Sequence, residues 1–169
     1  MSVLVFVRTK RRADRVARQV DQAGFPVARI HGDRSQSQRE TALEGFRAGR
    51  HQVLVATDVA ARGLDVEGIS HVINYDVPSV PTDYVHRVGR TARADAEGDA
   101  ITFVAPEEEA DVHAIEKILG RSIPRVTLPD FDYLAPPPPR VRGHEGARHP
   151  RQFRRGSGRE RRRPGPPHR

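Results

Sequence analysis

Five short apolar runs, each followed by a turn signal and most by a helix-period segment, leave few folds open to this chain. Residues 3–7 read Val-Leu-Val-Phe-Val without a polar interruption, the pattern of a strand covered on both faces rather than one. Similar runs stand at 26–30, 52–56, 71–75 and 100–104. Between the first two, Ala13, Val16, Ala17 and Val20 recur at helical spacing and Gly24 supplies a stop. Between the second and third, Ser35-Gln36-Ser37-Gln38 makes a capping box before Ala42, Leu43 and Phe46, with Gly49 closing. A last helix opens at Pro106 with acids in its first turn, turns Val112, Ile115 and Leu119 inward and ends at Gly120. Short strands alternating with helices predict an α/β domain with a mostly parallel sheet flanked by helices. Right-handed crossovers then gather the strand-to-helix loops at one sheet edge, where ligands of such folds bind.

Charge divides the chain in two. Residues 136–169 hold eleven arginines against Glu145 and Glu160, while the rest carries a slight acidic excess within the overall +7. The tail is dominated by Pro, Arg and Gly, with Phe153 as its one aromatic residue. Such composition cannot bury enough surface to offset chain entropy, so the tail is expected to be disordered. The expected organisation is a folded domain over 1–135 and a basic tail over 136–169. With no cysteine there is no disulfide framework or thiolate site, and no apolar run is long enough to cross a bilayer. A cytoplasmic protein without a membrane partner is the default. The eight histidines show no metal-ligand spacing, so no metal site is expected.

The densest chemistry lies at 84–93, Tyr-Val-His-Arg-Val-Gly-Arg-Thr-Ala-Arg. If this segment is helical, His86, Arg90 and Arg93 lie on one face, four and three residues apart. Like charges so placed repel, and Gly89 among them weakens a helix by about 1 kcal/mol. The segment reads either as a solvated basic helix face or as a site where an anionic partner offsets both costs, and the guanidinium fork suits phosphate. Residues 57–65, Thr-Asp-Val-Ala-Ala-Arg-Gly-Leu-Asp, follow a buried strand; they fit a phosphate-holding loop as well as a plain connection with an internal Arg–Asp pair. Gln36 and Arg39, on the first turns of a helix, suit an anion, though alone they read more simply as a capping residue and a surface arginine. Glu107 to Glu109 follow an apolar run as a metal-holding acidic box does, but Pro106 intervenes, so they are read as first-turn helix acids. No Gly-rich phosphate loop with its lysine is present, the only lysines being Lys10 and Lys117. The arginines that face a phosphate are there, whereas the parts that hold Mg-ATP are not.

Taken together and in order, Val5-Phe6-Val7-Arg8-Thr9-Lys10, His31-Gly32-Asp33, Gln36-x-x-Arg39, Ala56 through Asp65 and His86-Arg87-x-Gly89-Arg90-Thr91-x-Arg93 resemble the second RecA-like domain of DEAD-box ATP-dependent RNA helicases. The resemblance covers roughly residues 3–125, and His86 at the head of the last motif favours the DEAD-box branch. The segment 120–125 and the Arg-rich tail are similar to the bacterial RhlE-like group. The resemblance implies that Arg90 and Arg93 are arginine fingers on the ATP γ-phosphate and that Asp65, with Gly63, holds the nucleotide ribose. It further implies that His86 links the ATP and RNA sites. Gly32, Gln36, Arg39, Thr57 and Arg62 would contact the RNA backbone, which carries no base information.

Ala92 stands where many members have Gly. The family's first domain is absent, with its Mg²⁺-holding residues, and so are the strand and helix that usually precede the first strand here. The expectation is therefore half of an RNA helicase, a fragment or mis-called start that needs the first domain in cis or trans. The strand at 3–7, without its usual sequence neighbour, is expected to be an exposed association hazard. The alternative is a non-enzymatic module that binds RNA or a protein partner.

Overall fold

The computed structural model describes residues 1–64, 66, 69–91, 98–132 and 135. Five strands, β1 (Val3–Val7), β2 (Val27–Ile30), β3 (Val53–Thr57), β4 (His71–Asn74) and β5 (Asp99–Thr102), form one sheet in the order β2-β3-β1-β4-β5. Every pairing is parallel, as the unbroken apolar runs predict. The helices are α1 (Lys10–Gln22), α2 (Gln36–Arg47), α3 (Asp58–Ala61), α4 (Pro81–Val88) and α5 (Glu109–Leu119), the last preceded by a 3-10 turn at Pro106–Glu108.

Both central strands are buried along their whole length, so their side chains pack on two faces at once. On one face Val3, Val5, Val7, Val53 and Val55 meet Ala13, Val16 and Ala17 of α1. On the other, Leu4, Phe6, Leu54 and Ala56 meet Ala42 and Phe46 of α2 and Ala60 and Ala61 of α3. A third cluster joins Tyr84 of α4 to Val112 and Ile115 of α5. The expected inward residues are therefore inward, with Val20, Leu43 and Leu119 half-buried at the margins.

Two expectations are corrected. β1 is not an edge: it pairs with β3 on one side and β4 on the other. Sequence adjacency misleads here because a parallel sheet places consecutive strands by crossover. Among the described residues the edges are β2 and β5, and β5 exposes Ile101. The helix expected through 84–93 ends at Val88, with Gly89 as its cap. Gly89 thus terminates the helix rather than weakening its interior. Strand ends move by one or two residues; Thr57, read as a loop residue, closes β3 and is buried.

The capping box at Ser35 forms, its hydroxyl accepting from the Gln38 amide at 3.3 Å and its own amide donating to Gln38 Oε1 at 3.2 Å. Glu107 and Glu108 lie in the first turn of a helical segment, with Glu108 paired to Arg8 at 2.8 Å. Met1–Arg125 is one compact unit and Val126–Arg169 a second. The expected disorder of 136–169 lies outside the described residues. No described helix is long and apolar enough to cross a membrane.

Candidate functional site

The C-terminal ends of β1, β3 and β4 bring three elements around one open cleft of about 290 Å³. Its walls come from Phe6 (β1), Asp58 and Ala61 (α3), Arg62 and Gly63 beyond it, Asp83, His86 and Arg87 (α4), and Arg90. Of the residues singled out from sequence, it brings together Arg62, Gly63, His86 and Arg90. Asp65 and Arg93 lie outside the described residues, as does Ala92.

The α4 wall is built on an inward stripe of Tyr84, Arg87 and Thr91, all buried. Arg87 is 3% exposed, and a guanidinium so placed is stable only if its donors are satisfied. Nε and Nη2 donate to the two Asp58 oxygens at 2.7 and 2.8 Å; Nη1 donates to Asn74 Oδ1 at 3.0 Å and the Asp76 carbonyl at 2.9 Å. The Phe6 ring lies 5.0 Å beneath it. One residue of the expected basic cluster is therefore the post on which the cleft stands, not a ligand group. Composition could not show this; the inward spacing of Tyr84, Arg87 and Thr91 is the signal that could have. Asp58, Asn74 and Asp83 were likewise not singled out.

His86, one residue earlier, turns outward and is 76% exposed, with Nδ1 4.0 Å from Asp83 Oδ1. Asp83 also accepts from Arg62 at 3.3 Å, so the two walls of the cleft share one carboxylate. Arg90 lies past the helix end, where its amide donates to the Arg87 carbonyl at 3.2 Å. Its Nη1 donates to the Leu64 carbonyl at 2.9 Å, and the side chain lines the cleft. Gly63 takes φ +78 with open space where a Cβ would stand, a backbone that other residues adopt only with strain. His86 and Arg90 thus meet in the cleft through a turn, not through a continuous helix face.

A second set lies at the same sheet edge, on the α2 side. Gly32 and Gln36 are exposed at the start of α2, with Gln36 Nε2 donating to Glu40 at 2.8 Å. Arg39 reaches α3, donating Nη2 to the Ala60 carbonyl at 3.2 Å. Arg39 Nε, Arg34 Nε and His31 Nδ1 are buried without a partner. Buried polar nitrogens without partners are uncommon, and two here are guanidinium donors beside a helix N-terminus that already favours anions. Thr57, buried at the end of β3, makes no side-chain cap to α3. Gly32, Gln36, Arg39 and Thr57 do not line the cleft. Arg62 does, and so sits with Gly63, His86 and Arg90 rather than with the α2 set.

Residues 1–95 match the family model described as the helicase conserved C-terminal domain. The chain belongs to that family. Within it, the likeness is to DEAD-box proteins. The solved C-terminal domain of the DEAD-box protein Dbp5 is 37% identical, with TM-score 0.66 over 70% of each chain. The E. coli DEAD-box protein SrmB, solved bound to RraA, gives 37% and 0.68 over 72% of each. The DEAD-box ATP-dependent RNA helicase CshA of Bacillus subtilis is 49% identical over 129 residues, 76% of this chain and 26% of that protein. The chain thus spans about a quarter of the curated relatives it matches. The expected RecA-like fold and DEAD-box membership both hold; the RhlE-like placement rests on the sequence resemblance alone.

Proposed function

We propose that this chain supplies one wall of a two-domain ATP-driven RNA helicase site, its own domain closing on a first domain across ATP and RNA. In this reading Arg90 and Arg93 are arginine fingers, Gly63 and Asp65 hold the ribose side of the nucleotide, and His86 links nucleotide to RNA. Gly32, Gln36, Arg39 and Thr57 take the RNA backbone, with Arg62 between the two sets. The observation that carries the reading is the open cleft in which Arg90, His86, Arg62 and Gly63 converge, next to unpartnered guanidinium donors on the α2 side.

The chemistry available here is electrostatic. ATP, when bound, supplies the phosphoryl group to be transferred to water. Arg90, anchored on Leu64, holds fixed positive charge where negative charge builds on the phosphate oxygens, which costs no reorganisation during reaction. Fingers of this kind contribute about 10³ to 10⁵ in rate. In this reading Mg²⁺ is held mainly by the first domain. Contacts to RNA run through phosphate and sugar and are sequence-independent.

The test is to join a family first domain to residues 1–169 and measure steady-state ATPase with and without RNA. RNA-stimulated turnover should appear in the fusion and be absent from the chain alone. Arg90→Lys should not retain it, because a point charge lacks the fork. A fusion that binds RNA but never hydrolyses ATP would favour a non-enzymatic binding module instead.

A further inference from the structure

The outer face of α1 carries charge that the cleft does not use. Ala13, Val16 and Ala17 bury themselves against the sheet, which turns Arg11, Arg15 and Arg18 the opposite way, and all three are exposed. Their spacing of four and three makes a single stripe, about 10.5 Å long at the helical rise.

The stripe is left uncompensated while its neighbours are not. Lys10 pairs with Asp33 at 2.9 Å, Arg8 with Glu108 at 2.8 Å, Arg29 with Asp14 at 2.8 Å, and Arg12 with Asp76. Asp14, the acid nearest the stripe in sequence, faces Arg29 and His31 instead. Among the described residues none of the three stripe arginines has a carboxylate partner; Arg18 Nε reaches only the Asp14 backbone carbonyl, at 3.2 Å. The first turn of α1 also holds no acid, so Lys10, Arg11 and Arg12 stand at the positive end of the helix dipole. Both features destabilise an isolated helix by a few tenths of a kcal/mol per contact. A polyanion along the stripe removes both penalties.

The Lys10–Asp33 contact ties the start of α1 to the loop that holds Gly32 and leads to Gln36 and Arg39. The start of α1 therefore lies near that loop at the sheet edge, and from there the stripe runs along the solvent side of α1, on the sheet face opposite α2 and α3. We propose that Arg11, Arg15 and Arg18 form an auxiliary phosphate track for the RNA strand beyond the α2 set. This rests on the RNA reading above and adds a surface to it. The track reads backbone charge, so it is indifferent to base sequence and offers three guanidiniums, one to each of up to about three phosphates.

The experiment uses the whole 169-residue chain and a long unstructured oligouridine, with affinity measured across a salt series. Three fewer phosphate contacts change the slope of log affinity against log salt by about 2 for a single strand. The combined Arg11→Gln, Arg15→Gln and Arg18→Gln variant should show this shallower slope. The advantage of the parent should then grow about 100-fold for each tenfold drop in salt. The triple lysine variant should keep the parental slope and melt with the parent, and the glutamine triple should melt with it or slightly above, because the like-charge repulsion along α1 is gone.

A glutamine variant with the parental slope overturns the track. If Arg39→Gln weakens RNA binding while the glutamine triple does not, only the track fails. If the parent itself binds no RNA, the RNA reading fails with it. If the glutamine triple loses affinity for polyglutamate but keeps its RNA slope, the face takes an acidic protein and the proposal is wrong.

Discussion

Replacing Arg87 should damage the fold before it damages any ligand contact. Arg87→Ala removes four hydrogen bonds and the ring contact with Phe6, and leaves Asp58 and Asn74 facing a vacated site. Breaking a buried ion pair by deleting one partner costs about 3 to 5 kcal/mol. Asp58 keeps 28% of its side chain exposed, so water can rehydrate its carboxylate and the lower end applies, about 3 kcal/mol. For a compact unit of 125 residues that corresponds to a fall of roughly 10 °C in Tm. Arg87→Lys should lose about half as much, because one ammonium can meet Asp58 or Asn74 but cannot reproduce the bidentate fork. The assay is urea unfolding followed by circular dichroism, with the m-value checked for constancy. A double cycle with Asp58→Asn should show strong coupling, since both changes dismantle one pair. A loss below about 1 kcal/mol for Arg87→Ala, the range of an exposed pair, would show that Arg87 is not the buried post described here.

Four further outcomes are expected. Glu116 accepts from the Ile123 amide at 2.8 Å, and this bond, with His113 and Arg125 beside it, holds its carboxyl below the ordinary 4.5; the stabilisation is present above that value and lost as pH falls through the lowered one. The protection of the Ile123 amide, its exchange rate relative to the intrinsic rate at the same pH, should therefore fall in acid, and Glu116→Gln should remove most of that pH dependence. Gly63→Ala should cost about 1 to 2 kcal/mol in urea unfolding from backbone strain alone, since nothing crowds the new Cβ, and Gly63→Asn should cost less. The isolated chain should show no RNA-stimulated ATPase; turnover abolished by Arg93→Ala would contradict that. Removing residues 136–169 should weaken RNA binding and make the salt slope shallower by about 4 if six arginines engage a single strand, while a first-domain fusion keeps its saturated ATPase rate.

Much of the fold is legible in the sequence because its local signals agree. The Val3–Val7 run, the Ser35 capping box and the Ala13/Val16/Ala17 stripe each report an element whose burial needs no knowledge of the partner. Strand order is not local. That β1 lies between β3 and β4 follows from crossovers, and nothing within residues 3–7 distinguishes a central strand from an edge. The site was legible as residue types and less so as roles. His86, Arg87 and Arg90 read alike as cations, yet one is exposed, one is buried as a post and one is anchored beyond the helix end. The difference is set by Asp58 and Asn74, which are 29 and 13 residues away from Arg87 in sequence. The end of α4 at Gly89 was missed because the charge spacing continues at helical period through residues that are not helical.

The segment from Thr57 to Leu64 is where the two halves of the site become one object. It holds only four helical residues, too few to be stable alone. Side chains from its surroundings fix it instead: Arg39 of α2 grips the Ala60 carbonyl, Arg87 of α4 grips the Asp58 carboxylate, and Arg90 grips the Leu64 carbonyl. Arg62, within the segment, reaches back to Asp83 of α4. Each of these arginines belongs to, or stands beside, one of the two candidate ligand sets. An anion drawing Arg39 away from Ala60, or a phosphate drawing Arg90 away from Leu64, would loosen the same eight residues from opposite sides. Bonds of this kind contribute about 1 to 3 kcal/mol each, comparable with the coupling energies by which one ligand alters another's affinity. A ligand taken on the α2 side would thus be felt in the cleft through a short helix held by borrowed arginines, whose Ala60 and Ala61 lie in the same buried cluster as Phe6 and Ala56.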